Sequence, residues 1–187
     1  GNPESYARIM VTRGQGPLGL DPGNATTPLR VILVEPLSPL PASIYREGVA
    51  VITLRTERAA DAAPGAKVVN YLASMLALAR AKAAGAHEAL LLDAEGYVTE
   101  GTTSNFFLVV NGALLTPPKG AILAGITRAH VIAVAERQGL VVTYGAIGKN
   151  DLSGASEAFL TSSLREIVPV VRIDGAPVGS GAPGPVT

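Results

Sequence analysis

The dipeptide Asn111-Gly112, set between the apolar runs Asn105–Val110 and Ala113–Thr116, constrains the fold more than any other stretch of this chain. Both residues of a two-residue hairpin turn need positive φ, and Asn-Gly meets that need at little steric cost. The pair therefore predicts two antiparallel strands in fixed register. Further strands are expected at 6–12, 29–35, 49–54, 88–93, 141–144, 158–161 and 168–173, turned by Asp93–Gly96 and Asp174-Gly175.

Two helices interrupt the strands. One is predicted over 68–84, where Val69, Leu72, Leu76, Ala79 and Ala83 fall on one face and Gly85 ends the run. The second opens at Gly125-Ile126-Thr127, turns Val131, Ile132 and Ala135 inward, and stops at Gly139. Asp151 is placed to cap a short helical turn. The fold class is α+β, mostly antiparallel. Residues 36–41, with prolines at 36, 39 and 41, read as a stiff linker and a domain boundary. Residues 59–66 read as a small-residue loop, and 179–185 as a loop leading elsewhere.

Composition narrows the function. Hydrophobic residues are 48% and charged residues 16%, which supports a packed core and argues against disorder. A net charge of +0 and 4% aromatics argue against nucleic acid as a partner, since neither a basic footprint nor stacking platforms are present. The absence of cysteine excludes disulfides, thiolate metal sites and cysteine nucleophiles. His87 and His130 lack metal-ligand spacing, so no metal is expected. No apolar run reaches the roughly 18 residues of a membrane helix, and the first residues carry no leader. The expectation is a soluble, cytoplasmic protein.

Gly14-Gln-Gly16-Pro-Leu-Gly19 matches the glycine spacing of a dinucleotide site, with Glu35 ending the next strand. That motif must open a helix, and Pro17, Pro22, Gly23 and Pro28 prevent one. A turn-rich loop is the better reading.

The chain has four lysines. Lys82, Lys119 and Lys149 read as solvated. Lys67 lies between the small-residue loop and the apolar Val68-Val69, where desolvation would lower its pKa and make it a usable amine. Glu100 precedes Gly101 and the hydroxyls Thr102, Thr103 and Ser104, just past a strand; it reads equally as a site carboxylate or a turn carboxylate. Gly125-Ile-Thr-Arg128 before an apolar helix is a ready anion site, or a plain cap by Thr127. Thr161-Ser162-Ser163 offers a second set of donors.

Together these elements resemble the class IV, fold type IV, aminotransferases that use pyridoxal 5'-phosphate (PLP). The residues that carry the resemblance are Glu100, Asn105, Phe106-Phe107, Thr116, Leu123 and Gly125-Ile-Thr-Arg128, in order, with Lys67–Leu72 before them and 161–169 after. The resemblance implies the D-amino acid aminotransferase-like fold. Residues 1–36 would end the small N-terminal domain, 37–41 would be the linker, and 42–187 would form the large PLP-binding domain. The remainder of the small domain and a final helix would lie outside these residues, and the 187 alone are expected to bind PLP poorly.

It also implies roles. Lys67 would form the Schiff base, and Glu100 would pair with the pyridine nitrogen. Tyr71 would lie near the ring oxygen. Ile126, Thr127 and Ser163 would bind phosphate. Tyr6 and Arg8 resemble the substrate-lining Tyr-x-Arg of branched-chain enzymes, and residues 16–22 follow the same pattern. Leu164 and Arg165 depart from it and offer a guanidinium to a second carboxylate, so other keto acids and a 4-amino-4-deoxychorismate lyase remain open. The implied reaction is transamination of a branched-chain or similar hydrophobic amino acid with 2-oxoglutarate, by a homodimer. A non-catalytic domain that keeps the fold is the reading from outside enzymology.

Overall fold

The computed structural model describes residues 3–55, 67 and 70–187. The chain falls into two compact units, Gly1–Pro39 and Leu40–Thr187.

The first unit is a hairpin of β1 (Ser5–Thr12) and β2 (Leu29–Pro36), with Ser5 opposite Pro36 and Thr12 opposite Leu29. Strand alternation puts Tyr6, Arg8 and Met10 on one partly buried face, while Ile9 and Val11 are exposed on the other. The connection contains only a three-residue 3-10 turn, Pro22–Asn24, with Asp21 accepting from the Gly23 N–H at 2.8 Å. No helix follows the glycines, so the dinucleotide lookalike is a loop.

The second unit is built on a nine-stranded sheet. Its strands are β3 (Val49–Arg55), β4 (Glu88–Leu92), β5 (Val98–Gly101), β6 (Asn105–Val110), β7 (Ala113–Thr116), β8 (Val142–Tyr144), β9 (Glu157–Ser162), β10 (Glu166–Ile173) and β11 (Ala176–Pro177). Their order is β5-β4-β3-β10-β9-β6-β7-β8, with β11 beside β10. The pairs β3–β4, β3–β10 and β7–β8 are parallel and the others antiparallel. The predicted hairpin is β6–β7: Asn111 and Gly112 take φ of 51° and 76°, and Val110 pairs with Ala113.

Period-two alternation gives this sheet two buried faces. Phe106, Leu108, Ala158, Leu160, Val168 and Val170 share one core with Val49, Val51 and Ile147. Phe107, Val109 and Phe159 occupy the other, beneath Ile132 and Ala135 of helix α3 (Ile126–Arg137). Phe107 and Phe159 are register partners, with rings stacked 4.9 Å apart. Asn105 and Thr161 are also register partners, one step along the same face, which puts polar side chains on the sheet face that α3 covers.

Helix α2 (Leu72–Ala83) packs on β3 and β4. The expected helix start at Val68 and Val69, and the loop expected at 59–66, lie outside the described residues. The inward face differs from expectation. Ala77 and Ala81 are buried against Ala86, Ala89 and Leu91, while Leu72 and Leu76 are 64% and 57% exposed and Ala79 and Ala83 also face solvent. A small-residue stripe lets the helix sit close to the sheet; the leucines mark the opposite side. Both long helices end as predicted. Gly85 and Gly139 take φ of 73° and 79°, and the following Ala86 and Leu140 donate back to Ala81 and Ala135. Helices α1 (Ala42–Glu47) and α4 (Lys149–Gly154) are short. Of these, sequence predicts only α4; its N-cap is Gly148, and Asp151 is its third residue rather than its cap, reaching back to accept from the Gly148 N–H at 2.8 Å.

Candidate active site

Glu100 lies within β5 rather than past a strand, and is 8% exposed. Its Oε2 accepts from the Leu123 N–H at 3.0 Å. The Leu123 carbonyl in turn accepts from Asn105 Nδ2 at 2.8 Å and from the Gly125 N–H at 2.9 Å. The carboxylate, the start of β6 and the entry to α3 are thereby joined. Gly125 is the N-cap of α3, with extended backbone at φ −66° and ψ 139°. A Cβ there would overlap Asn105 Oδ1, so the close approach of the loop to β6 requires glycine. Thr127 is the second residue of the helix, not its cap, and Ile126 is exposed.

Arg128 is buried beneath this turn. Its Nε donates to Thr116 Oγ1 at 3.2 Å, and Nη2 donates to the Pro117 carbonyl at 2.7 Å, with the Tyr144 ring 5.6 Å away. Burial lowers its pKa, and the nearby Tyr144 opposes that. It ties the end of β7 to the first turn of α3.

A second buried carboxylate, Glu88, shows in sequence only as the start of a strand. Its Oε1 accepts from Thr102 Oγ1 (3.0 Å), the Thr103 N–H (2.6 Å), Thr103 Oγ1 (3.2 Å) and Ser104 Oγ (3.0 Å). Its Oε2 pairs with Arg165 Nη1 at 2.9 Å. Burial by itself would raise the Glu88 pKa. The Arg165 guanidinium and the hydrogen bonds from Thr103 and Ser104 outweigh it and hold the carboxyl below its ordinary value. The hydroxyl cluster after Glu100 therefore serves this carboxylate.

Arg165, which the sequence offers to a second carboxylate, is engaged by the protein itself. A guanidinium has five N–H donors. Here Nε donates to Ser162 Oγ (3.1 Å), and Nη1 to Glu88 Oε2 and toward His87 Nε2 (3.4 Å). Nη2 donates to Thr103 Oγ1 (2.7 Å) and toward the Thr103 carbonyl (3.4 Å). All five have a protein partner. His87 is held below the ordinary histidine value by burial, Lys82 and Arg165, which suits an acceptor nitrogen.

Lys67 is exposed, which corrects the expectation of desolvation; among the described residues its Nζ lies 5.9 Å from the Tyr71 ring. Lys82, Lys119 and Lys149 are exposed as expected. Ser163 and Leu164 are exposed on the β9–β10 connection, and Ser162 beside them is held by Arg165. Tyr6 and Arg8 belong to the first unit. Thr161, by contrast, is 2% exposed, and its hydroxyl has no hydrogen-bond partner among the described residues. A buried orphan hydroxyl beside Asn105 marks a place where a polar group is owed a partner. Sequence places Thr161 among the loop donors but cannot show that its hydroxyl is unpaired.

Known proteins resemble this chain in sequence and fold. The family profile described as amino-transferase class IV matches residues 1–173. A protein of Methanocaldococcus jannaschii, named provisionally as a branched-chain-amino-acid aminotransferase, is 42% identical over 98% of this chain and 64% of its own length. The crystal structure of the Escherichia coli branched-chain amino acid aminotransferase superposes with a TM-score of 0.90 at 34% identity, covering 97% of this chain and 62% of that one. A further branched-chain amino acid aminotransferase, solved in complex with N-(5'-phosphopyridoxyl)-L-glutamate, gives a TM-score of 0.87 at 37% identity over 97% and 60%. The chain thus spans about 60% of the length of the relatives it matches. A family profile over most of the chain, with whole-chain likeness in sequence and fold, makes this chain a member of the class IV aminotransferases, with their fold type IV architecture.

Proposed function

We propose that the protein is a PLP-dependent aminotransferase that moves the amino group of a branched-chain or similar hydrophobic amino acid to 2-oxoglutarate. The observation that carries this is the hydrogen-bonded path from buried Glu100 through Leu123 and Asn105 to the N-terminus of α3. It joins a carboxylate and an anion-binding helix end in one body. The named activities of the relatives supply the reaction class and the choice of amino acid.

The residues suit PLP. A buried carboxylate can face a ring nitrogen, the free N–H groups of a 12-residue helix can face a phosphate, and the orphan Thr161 hydroxyl is a polar group in want of a partner. PLP, when bound, supplies an electron sink for the pair released at the substrate Cα. Glu100 would accept the ring-nitrogen N–H and favour its protonated form, and its burial would strengthen that charge interaction. The Ile126 and Thr127 N–H groups, the Thr127 hydroxyl and Ser163 hold the phosphate. Tyr71 would lie near the ring oxygen. Lys67 Nζ would hold the cofactor and, when not bound to it, would be the amine placed to accept and return the substrate Cα proton, as base and then acid. Leu164 would line the substrate side of this unit, and Tyr6 and Arg8 of the first unit keep the substrate-lining role that the resemblance implies.

In this reading residues 1–36 end the small domain, 37–41 link it, and 42–187 form the cofactor domain. The protein works in the cytoplasm as a homodimer. Among the described residues, no helix is long and apolar enough to cross a membrane. The test is a panel of amino acids, both enantiomers, against keto acids. The proposal expects leucine-type donors and strict dependence on 2-oxoglutarate. Release of pyruvate from aminodeoxychorismate without any keto acid would replace it with the lyase reading.

A further inference from the structure

Glu88 and Arg165 stand 77 residues apart in sequence, yet they meet, and Arg165 bonds to both connections that flank the proposed site. One connection is 102–104, which follows Glu100. The other is 162–165, which carries Ser163. Glu88, 0% exposed, gathers the first connection onto one oxygen through four donors. It holds Arg165 with the other oxygen. Arg165 then ties Thr103 to Ser162. The fit is close: a Cβ on Gly101 would lie 2.7 Å from Glu88 Oε1 and would overlap Ser104 Oγ.

We propose that Glu88 and Arg165 are positioning residues, a clamp that fixes the Thr102–Ser104 connection against the Ser162–Arg165 connection. In this role Arg165 acts through the protein and does not bind a substrate carboxylate. The inference rests on the proposed PLP site for its consequence: the clamp sets where Ser163 meets phosphate and where Glu100 stands. The clamp itself rests on the contacts alone. Arginine is required because its planar fork reaches three acceptors in fixed directions, which a lysine ammonium cannot do.

The test compares Arg165→Met, Arg165→Lys and Thr103→Val with the parent protein. Thr103 is exposed, so its variant removes one strut of the clamp with little threat to folding. The first readout is amide exchange at 101–104 and 162–166 in the cofactor-free protein. Exchange in both segments should rise at least about tenfold in Arg165→Met, less in Arg165→Lys, and measurably in Thr103→Val. The second is PLP affinity, expected to weaken by about tenfold or more, since small misplacements of holding groups carry large costs. Unchanged exchange in both segments would overturn the clamp. So would a rise in KM for 2-oxoglutarate alone, with KM for a monocarboxylate keto acid and PLP affinity unchanged, because Arg165 would then be a substrate ligand. If the full-length protein binds no PLP, the reading of the site fails, while the exchange measurement still decides the clamp.

Discussion

Gly125→Ala is a change that the geometry converts into a number. The backbone there, at φ −66° and ψ 139°, is open to alanine, so no backbone strain arises. The cost comes from Asn105. An added Cβ overlaps Asn105 Oδ1 and sits 3.3 Å from its Cγ. The amide must retreat by roughly 1 Å to restore van der Waals contact. Asn105 is 5% exposed and its Nδ2 donates to Leu123 at 2.8 Å, so a rigid amide that moves breaks that bond inside the protein. Losing a buried hydrogen bond costs about 1–3 kcal/mol. Overpacking adds about 1–3 kcal/mol. The expected destabilisation is therefore about 2–6 kcal/mol, a fall in the urea midpoint of about 1 M or more. Asn105→Ala supplies the control. Leu123 keeps its bond from the Gly125 N–H, so this variant should lose less, and in its background Gly125→Ala should cost under about 1 kcal/mol. A cost for Gly125→Ala below about 0.5 kcal/mol, or the same cost in both backgrounds, would refute the argument.

Other outcomes follow from the same structure. Phe106→Ala, at a fully buried position in the main core, should destabilise by about 3–5 kcal/mol in urea unfolding. Acid should act in two windows. His87, lowered by burial, favours its neutral form when folded, so stability should fall as pH drops through the ordinary histidine range toward its folded value; His87→Gln should flatten that limb. Glu88, held low by Arg165, contributes stability above the ordinary glutamate value that is lost as pH falls through its lower folded value; a Glu88→Gln variant that kept this second limb would assign it elsewhere. Glu100→Gln should leave PLP bound but slow the Cα–H step by about 10²-fold, read as a substrate isotope effect on turnover; unchanged turnover would remove Glu100 from the ring nitrogen.

Local chemistry explains which parts are legible in sequence. The β6–β7 hairpin and both helix ends depend on residues next to one another, where Asn-Gly and glycine choose the backbone. The parts that depend on distance are hidden. The α2 face is misread because leucines outweigh alanines in a periodicity argument, whereas Ala77 and Ala81 are buried for their small size. Helix α1 follows a proline-rich stretch and spans six residues, too few to show a period. The pairing of Glu88 with Arg165 is hidden because nothing local links positions 77 apart. The orphan hydroxyl of Thr161 is a property of packing alone.

In the proposed function Lys67 is the residue that carries the cofactor. Borohydride reduction of the PLP-loaded protein, followed by peptide mass mapping, tests it most directly. A phosphopyridoxyl group is expected on the peptide containing Lys67 and absent in Lys67→Ala. A reduced adduct on Lys82, Lys119 or Lys149 that survives Lys67→Ala would contradict it.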